Sequence, residues 1–257
     1  MYFLGVLGLL FGSFSNMLIY RLSSFEPVQS TRSRCIHCHT ALPIRSLVPV
    51  LSYLIQSGRC LFCDKRIPLR YLLVELVMGI GFIFIWILNL PLIETIKLLI
   101  FFFAGLTLFV IDLKSKRLPD LITLPLLIIG LAFAWNQHTL LTSVMGACLG
   151  FSIYFTIRFI GRLIYKQEVM GGGDLKLGAA LGSYWGIEHI LMTSYLSFLL
   201  GGLVSLCLLL LKKCSRRDHI PFGPFILLGS CISLFFFDAI LTLIYNPIEG
   251  FRILQQH

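Results

Sequence analysis

The chain has 257 residues, of which 57% are hydrophobic and only 13% charged, and its mean hydropathy is +0.90. A soluble domain carries about 25% charged residues, so the composition excludes an ordinary soluble protein and points to a multi-pass membrane protein in the lipid bilayer. The net charge of +9 would suit a nucleic-acid partner on a soluble protein; here the bases gather in short loops between apolar stretches, so membrane orientation accounts for them and no nucleic acid is expected.

Residues 1–20 supply a first span of the roughly 20 apolar residues a bilayer requires. They lack a basic start and a small-residue cleavage pattern, so they are expected to remain as a helix rather than be removed as a signal peptide. Residues 21–70 form a polar loop long enough for a small extramembrane domain. It holds Cys35-Ile36-His37-Cys38 and Cys60-Leu61-Phe62-Cys63, with 21 residues between the pairs. Two such knuckles offer four thiolates to one tetrahedral zinc ion. Disulfides are disfavoured because the loop is expected in the reducing cytosol, and a redox Cys-x-x-Cys would normally occur once. So short a loop cannot bury a core of its own, and a bound metal would supply the missing stability. His37 and His39 are spare ligands that four thiolates do not need. Cys148, Cys207, Cys214 and Cys231 stand alone and are expected to be small packing residues.

Residues 71–113 are too long for one helix and carry the turn signal Asn89-Leu90-Pro91. Residues 119–157 divide likewise at Asn136-Gln137-His138-Thr139, and residues 175–211 are interrupted by Gly186-Ile187-Glu188-His189. Residues 224–245 form the last span before Asn246-Pro247. Loops 21–70, 113–118, 158–176 and 212–219 hold 19 of the 21 Lys and Arg residues, so all four belong on the cytoplasmic side. Even numbers of crossings must then separate them. Residues 175–211 therefore cross twice, giving an all-α bundle of about eight transmembrane helices with both termini outside the cytoplasm.

Two acids stand where an apolar run meets a basic loop. Asp112 lies at the cytoplasmic end of the third span, and Asp174 follows Gly171-Gly172-Gly173 at the start of the sixth. Acids at the membrane edge are functional candidates by default. Asp174 is also well suited to cap a helix, and Asp112 to pair with Lys114, Lys116 or Arg117. The glycines allow another chain to approach the backbone closely, as an extended peptide substrate would. A phosphate loop is excluded, since the Lys and Ser/Thr are missing and a carboxylate occupies the phosphate position. Asp120, after Pro119, is expected to be a first-turn helix residue. Asp238, inside the last span, is expected to face a polar partner in the bundle. Glu75 has no assignable role.

Taken in order, these residues resemble the type IV prepilin peptidases, membrane aspartic proteases of the GxGD group. Gly12-Ser13-Phe14-Ser15-Asn16 with Ile19-Tyr20-Arg21-Leu22 is similar to that family's opening motif. The double Cys-x-x-Cys follows, then Arg70-Tyr71 with Val74-Glu75-Leu76, then Ile111-Asp112 with Leu118-Pro119-Asp120. Met170 to Asp174 with Lys176-Leu177 comes next, and Ile220 to Phe225 last. Ser15 stands where a larger apolar residue is usual, and Ile36 where proline is common. The resemblance implies Asp112 and Asp174 as the catalytic pair, Gly171–Gly173 as an active-site loop, and residues 71–257 as the peptidase core of a bacterial inner-membrane enzyme. It also implies cleavage of short basic leaders from prepilins or pseudopilins at the cytoplasmic face, followed by methylation of the new N-terminus from S-adenosylmethionine. No glycine-rich methyltransferase fingerprint is visible. A non-catalytic, zinc-stabilised protein that binds pilin-like helices is the alternative from another class. A transporter would show internal repeats or several broken polar spans, and neither is found.

Overall fold

The computed structural model describes residues 2–24, 33–166, 168, 170–212 and 220–245. In chain order these form α1 (Tyr2–Ser23), a short 3-10 turn (Ile44–Ser46), α2 (Leu51–Ile55), α3 (Arg70–Ile87), α4 (Leu92–Ser115), α5 (Asp120–Asn136), α6 (Leu140–Tyr165), α7 (Gly172–Leu210) and α8 (Gly223–Tyr245). The described residues include no β-strand, only two isolated bridges, Arg34 with Ala41 and Arg59 with Arg66. The all-helical expectation holds. Lys213, Cys214, Arg216, Arg217, Asn246, Pro247 and Arg252, on which the sequence reading also drew, lie outside the described residues.

Among the described residues six helices are long and apolar enough to cross a membrane, and α5 is a shorter apolar one. Burial follows a membrane pattern rather than a soluble one. On α1 the small residues Gly5, Gly8, Gly12 and Ser15 face inward, while Phe3, Val6, Leu10 and Phe14 are exposed. Lipid solvates large apolar side chains, so helices associate through small residues that let backbones approach.

The chain divides into two compact units, Met1–Ser115 and Lys116–His257. In the first, α1 lies against α3 through glycines: a Cβ on Gly8 would come within 2.9 Å of the Gly79 Cα, and one on Gly12 within 2.7 Å of the Glu75 Cα. The buried hydroxyls of Ser15 and Thr107, 2.8 Å apart, tie α1 to α4. The turn expected at Asn89-Leu90-Pro91 is present. Asn89 takes a positive φ of 49°, and the Thr95 hydroxyl ties the first turn of α4 back to this turn by donating to the Leu90 carbonyl at 3.2 Å.

In the second unit, α6 packs on α7 with Gly146 against Gly182 and Gly150 against Gly178. The helix α7 breaks at Gly186, with φ 82° and ψ −171°. A Cβ on Gly150 would meet both the Gly178 carbonyl and the Ile190 side chain, although a straight helix would hold those two residues about 18 Å apart. Tyr154 gives the same result, covering Gly178 with its ring while its hydroxyl lies 3.4 Å from the Ser194 hydroxyl. The chain therefore reverses at Gly186, and the double pass expected of residues 175–211 is a helical hairpin. With its two arms counted separately, the described residues form eight apolar helical segments. The helix α6 runs eight residues beyond the apolar stretch ending at 157, because Arg158 and Arg162 continue it before Lys166 closes it in the left-handed region at φ 54°.

Candidate functional site

The loop after α1 holds two copies of one local fold. In each, the first cysteine accepts a bond from the residue four positions on: His39 N–H to the Cys35 carbonyl and Asp64 N–H to the Cys60 carbonyl, both 3.0 Å. The same cysteines donate N–H to the carbonyls of Thr40 and Lys65, also at 3.0 Å. His39 and Asp64 close the turns at φ 56° and 54°. Backbone N–H groups point at sulfur in both copies, from His37 to Cys35 at 3.4 Å and from Phe62 to Cys60 at 3.5 Å.

This duplication gathers the four sulfurs of Cys35, Cys38, Cys60 and Cys63 within 4.8 Å of one another, and Cys35 and Cys63 are 3.9 Å apart. Tetrahedral zinc–thiolate bonds of about 2.3 Å place the sulfurs roughly 3.8 Å apart, so the cluster fits such an ion. The cysteines are unbridged. Thr40, through its hydroxyl and backbone, lowers Cys38 to about 6. Desolvation opposes ionisation of Cys60, but the N–H groups of Phe62 and Cys63 prevail and lower it. The Lys65 N–H favours a Cys63 thiolate, yet desolvation and the neighbouring sulfurs raise that residue to about 11. Four thiolates this close repel one another, and a divalent cation would relieve the repulsion. Among the described residues no other group of His, Cys, Asp or Glu could hold a metal. Cys148 and Cys207 lie exposed on helix surfaces rather than packed as expected, which is tolerable where lipid is the solvent.

Between this loop and the helix ends sits a carboxylate that sequence reasoning could not assign. Glu75, on the first turns of α3, is 8% exposed. It accepts the Val50 N–H at 2.8 Å and further bonds from the side chains of Ser13 and Asn16. Val50 is strained, with φ 62° and ψ −54°, and the Leu51 N–H closes a γ-turn around it onto the Pro49 carbonyl at 2.6 Å. That φ-positive γ-turn is rare for any residue with a Cβ. The motifs around Ser13–Asn16 and Glu75 thus meet in space. Their separate presence in the sequence was the available signal.

Asp112 is 4% exposed, in the last turn of α4. The Lys114 ammonium lies over the Tyr20 ring, 5.7 Å from its centroid. Asp174, 7% exposed, is the third residue of α7; its Oδ2 accepts the Gly171 N–H at 3.1 Å, and its own N–H returns to the Gly171 carbonyl at 3.3 Å. The N-cap position foreseen for it belongs instead to Gly171, and Asp174 caps the helix from the third position by reaching back to the Gly171 N–H. Of the three glycines before it, Gly173 is the one held by close packing, since a Cβ there would lie 2.7 Å from the Leu118 Cβ. Asp120 grips the Lys176 ammonium with both oxygens, at 2.6 and 2.7 Å, and so joins the start of α5 to the start of α7. Asp112 belongs to the first unit and Asp174 to the second. Asp238 is exposed, just past a break in α8 at Phe236, and does not face the bundle as expected.

Residues 6–89 match the model of the bacterial peptidase A24 N-terminal domain, and residues 98–206 match that of the type IV leader peptidase family. A prepilin leader peptidase/N-methyltransferase of Vibrio cholerae serotype O1 is 36% identical, over 90% of this chain and 94% of that protein. Proteins of the same name from Aeromonas hydrophila and Pseudomonas putida are 32% and 33% identical, over 90% and 91% of this chain and 89% and 90% of their own lengths. No solved structure matches the chain.

Proposed function

Because the chain belongs to the type IV leader peptidase family, we propose that it is an inner-membrane aspartic endopeptidase. It removes the leaders of type IV prepilins or pseudopilins at the cytoplasmic face and then methylates the new N-terminus with S-adenosylmethionine as donor. The observation that carries the peptidase reading is the burial of two carboxylates at the ends of apolar helices, Asp112 and Asp174. The ionised member of such a pair takes a proton from water, which attacks the scissile carbonyl. The protonated member polarises the carbonyl oxygen and later gives its proton to the leaving amine. Helix polarity divides the roles: the N-terminal end of α7 supports a negative charge at Asp174, while the C-terminal end of α4 opposes one at Asp112. Gly171–Gly173 form the backbone edge along which the extended substrate lies.

Cys35, Cys38, Cys60 and Cys63 hold a structural zinc ion that folds the loop of residues 21–70. Four thiolates fill a tetrahedral shell, so the ion has no open position for water and takes no part in hydrolysis. A non-catalytic pilin-binding role is not favoured, since the relatives are named as peptidases and methyltransferases. The test is incubation of the purified protein with a prepilin and S-adenosylmethionine, followed by mass spectrometry. The expected product lacks its leader and carries one added methyl group. An intact prepilin would overturn the peptidase reading, and an unmethylated mature pilin the methyltransferase reading.

A further inference from the structure

A groove of about 360 Å³ runs between α3 and α4, within the first unit. The two helices run in opposite directions around the Asn89–Pro91 turn, so Arg70 at the start of α3 and Lys114 in the last turn of α4 meet at one end. Apart from these two cations every lining residue is apolar, among them Leu73 and Val77 of α3 and Leu106, Phe109 and Leu113 of α4. The spacings 70, 73, 77 and 106, 109, 113 are helical, so each helix gives the groove one continuous face. At 1.5 Å per residue those faces are about 10–12 Å long. Such a lining offers water no partners, whereas lipid tails are as apolar as its leucines.

The charged end of the groove asks for an anion. Among the described residues no acid forms an ion pair with Arg70 or Lys114. The Arg70 guanidinium lies over the Tyr71 ring, 5.1 Å from its centroid, and the Lys114 ammonium lies over Tyr20 at 5.7 Å. The two cations are near enough for their charges to oppose each other. Arg70 Nε is buried and has no hydrogen-bond partner. Buried polar atoms are nearly always satisfied, and a guanidinium fork matches a phosphate in shape and charge.

We propose that this groove is a binding site for an anionic phospholipid. One acyl chain fills the apolar part, and the headgroup phosphate sits between Arg70 and Lys114, at the end of the helix pair expected to face the cytoplasm. Basic pockets between transmembrane helices on that side suit such headgroups. The lipid joins the start of α3 to the end of α4 and cancels the repulsion between the two cations. A zwitterionic lipid would add its own cation to this end, and free phosphate would leave the apolar groove unfilled. The basic leader of a prepilin would meet two like charges.

The experiment is native mass spectrometry of the purified full chain in detergent, with phosphatidylglycerol or phosphatidylcholine of the same acyl chains added. Wild type is expected to retain one phosphatidylglycerol, at least about tenfold in preference to phosphatidylcholine, and inorganic phosphate is expected not to displace it. Arg70→Gln and Lys114→Gln are each expected to weaken that binding about fivefold. Val77→Trp, which fills the groove and leaves both charges in place, is expected to abolish the preference; circular dichroism checks that each variant is folded. Equal retention of the two lipids by wild type would overturn the proposal whatever the variants do. Loss in the charge variants with full retention in Val77→Trp would mean that the bases attract headgroups without a site, which also overturns it. Displacement of the lipid by an equimolar prepilin would assign the groove to the substrate helix instead.

Discussion

At Asp174 one carboxylate serves two purposes that a single substitution can separate. As a cap it needs an oxygen to accept the Gly171 N–H, which an asparagine still offers. As half of a proton relay it needs a carboxyl group, which asparagine lacks. Asp174→Asn and Asp112→Asn are therefore each expected to lower prepilin cleavage at least ~100-fold while the protein still inserts and unfolds within ~1 kcal/mol of wild type. Either variant retaining near wild-type turnover would remove the dyad. Asp120→Asn is expected to keep substantial activity, because its ion pair with Lys176 is largely exposed and such pairs contribute at most about 1 kcal/mol. The glycines before Asp174 differ among themselves. Gly173→Ala drives a methyl into Leu118 and is expected to cost about 1–3 kcal/mol, read by thermal unfolding in detergent. Gly172→Ala meets only the Arg158 guanidinium at 3.2 Å, the end of a flexible side chain. It should leave stability unchanged; a loss of cleavage there without loss of stability is what an approaching substrate backbone predicts. Spacing made the cysteines legible because metal ligation is a local pattern. Glu75 was illegible because its partner, the Val50 N–H, is set by a γ-turn that no residue type announces.

Elements were read best where a break has a chemical cause. Asn89 and Pro91 end one helix and begin the next, and Gly186 takes a φ of 82° with ψ near 180°, a combination essentially reserved for glycine. Nothing lies within 4 Å of a Cβ built there, so Gly186→Ala isolates backbone strain from crowding. It is expected to destabilise the protein by about 1–3 kcal/mol, measured by thermal unfolding, and an unchanged midpoint would mean the reversal tolerates another conformation. The end of α6 was read too early because hydropathy marks where lipid ends, and a helix continues past that point for as long as its backbone bonds close. Two near-identical knuckles, with bridges at Arg34–Ala41 and Arg59–Arg66, take the place of a hydrophobic core in the cysteine loop. Replacing Cys35 and Cys38 together by serine is expected to remove about one zinc per chain by elemental analysis and to open the loop to proteolysis, since metal binding there is folding free energy. Leader cleavage should survive at least in part. A double variant that keeps its zinc, or a loop as resistant as before, would contradict the four-cysteine site.

For the whole molecule, the sequence conveys the number of apolar helical segments among the described residues because hydropathy is a property of composition. It does not convey how helices touch, which rests on glycine contacts such as Gly150 with Gly178. The hairpin at Gly186 links the two levels. Its arms, Gly172 to Trp185 and Ile187 to Leu210, both lie against α6, so Lys176 and Lys212, one on each side of the reversal, are expected on one face of the membrane. A single straight helix of 39 residues would instead span about 58 Å, far more than the ~30 Å hydrocarbon core, and would carry Lys212 away from Lys176. With Lys and Arg retained in the cytoplasm, reporter fusions after Lys65, Lys116, Glu168 and Lys212 are expected to register as cytoplasmic. Fusions after Asn89, His138 and Glu188 are expected to register outside. The decisive positions are Glu188 and Lys212. An external signal at Lys212 would mean an odd number of crossings after Asp174, which would contradict both the hairpin and the eight-helix topology. A cytoplasmic signal at Glu188 would mean that the first arm does not cross. The catalytic reading requires Asp112 and Asp174 on one side, so Lys116 and Glu168 reporting opposite sides would sink the dyad without any assay of cleavage.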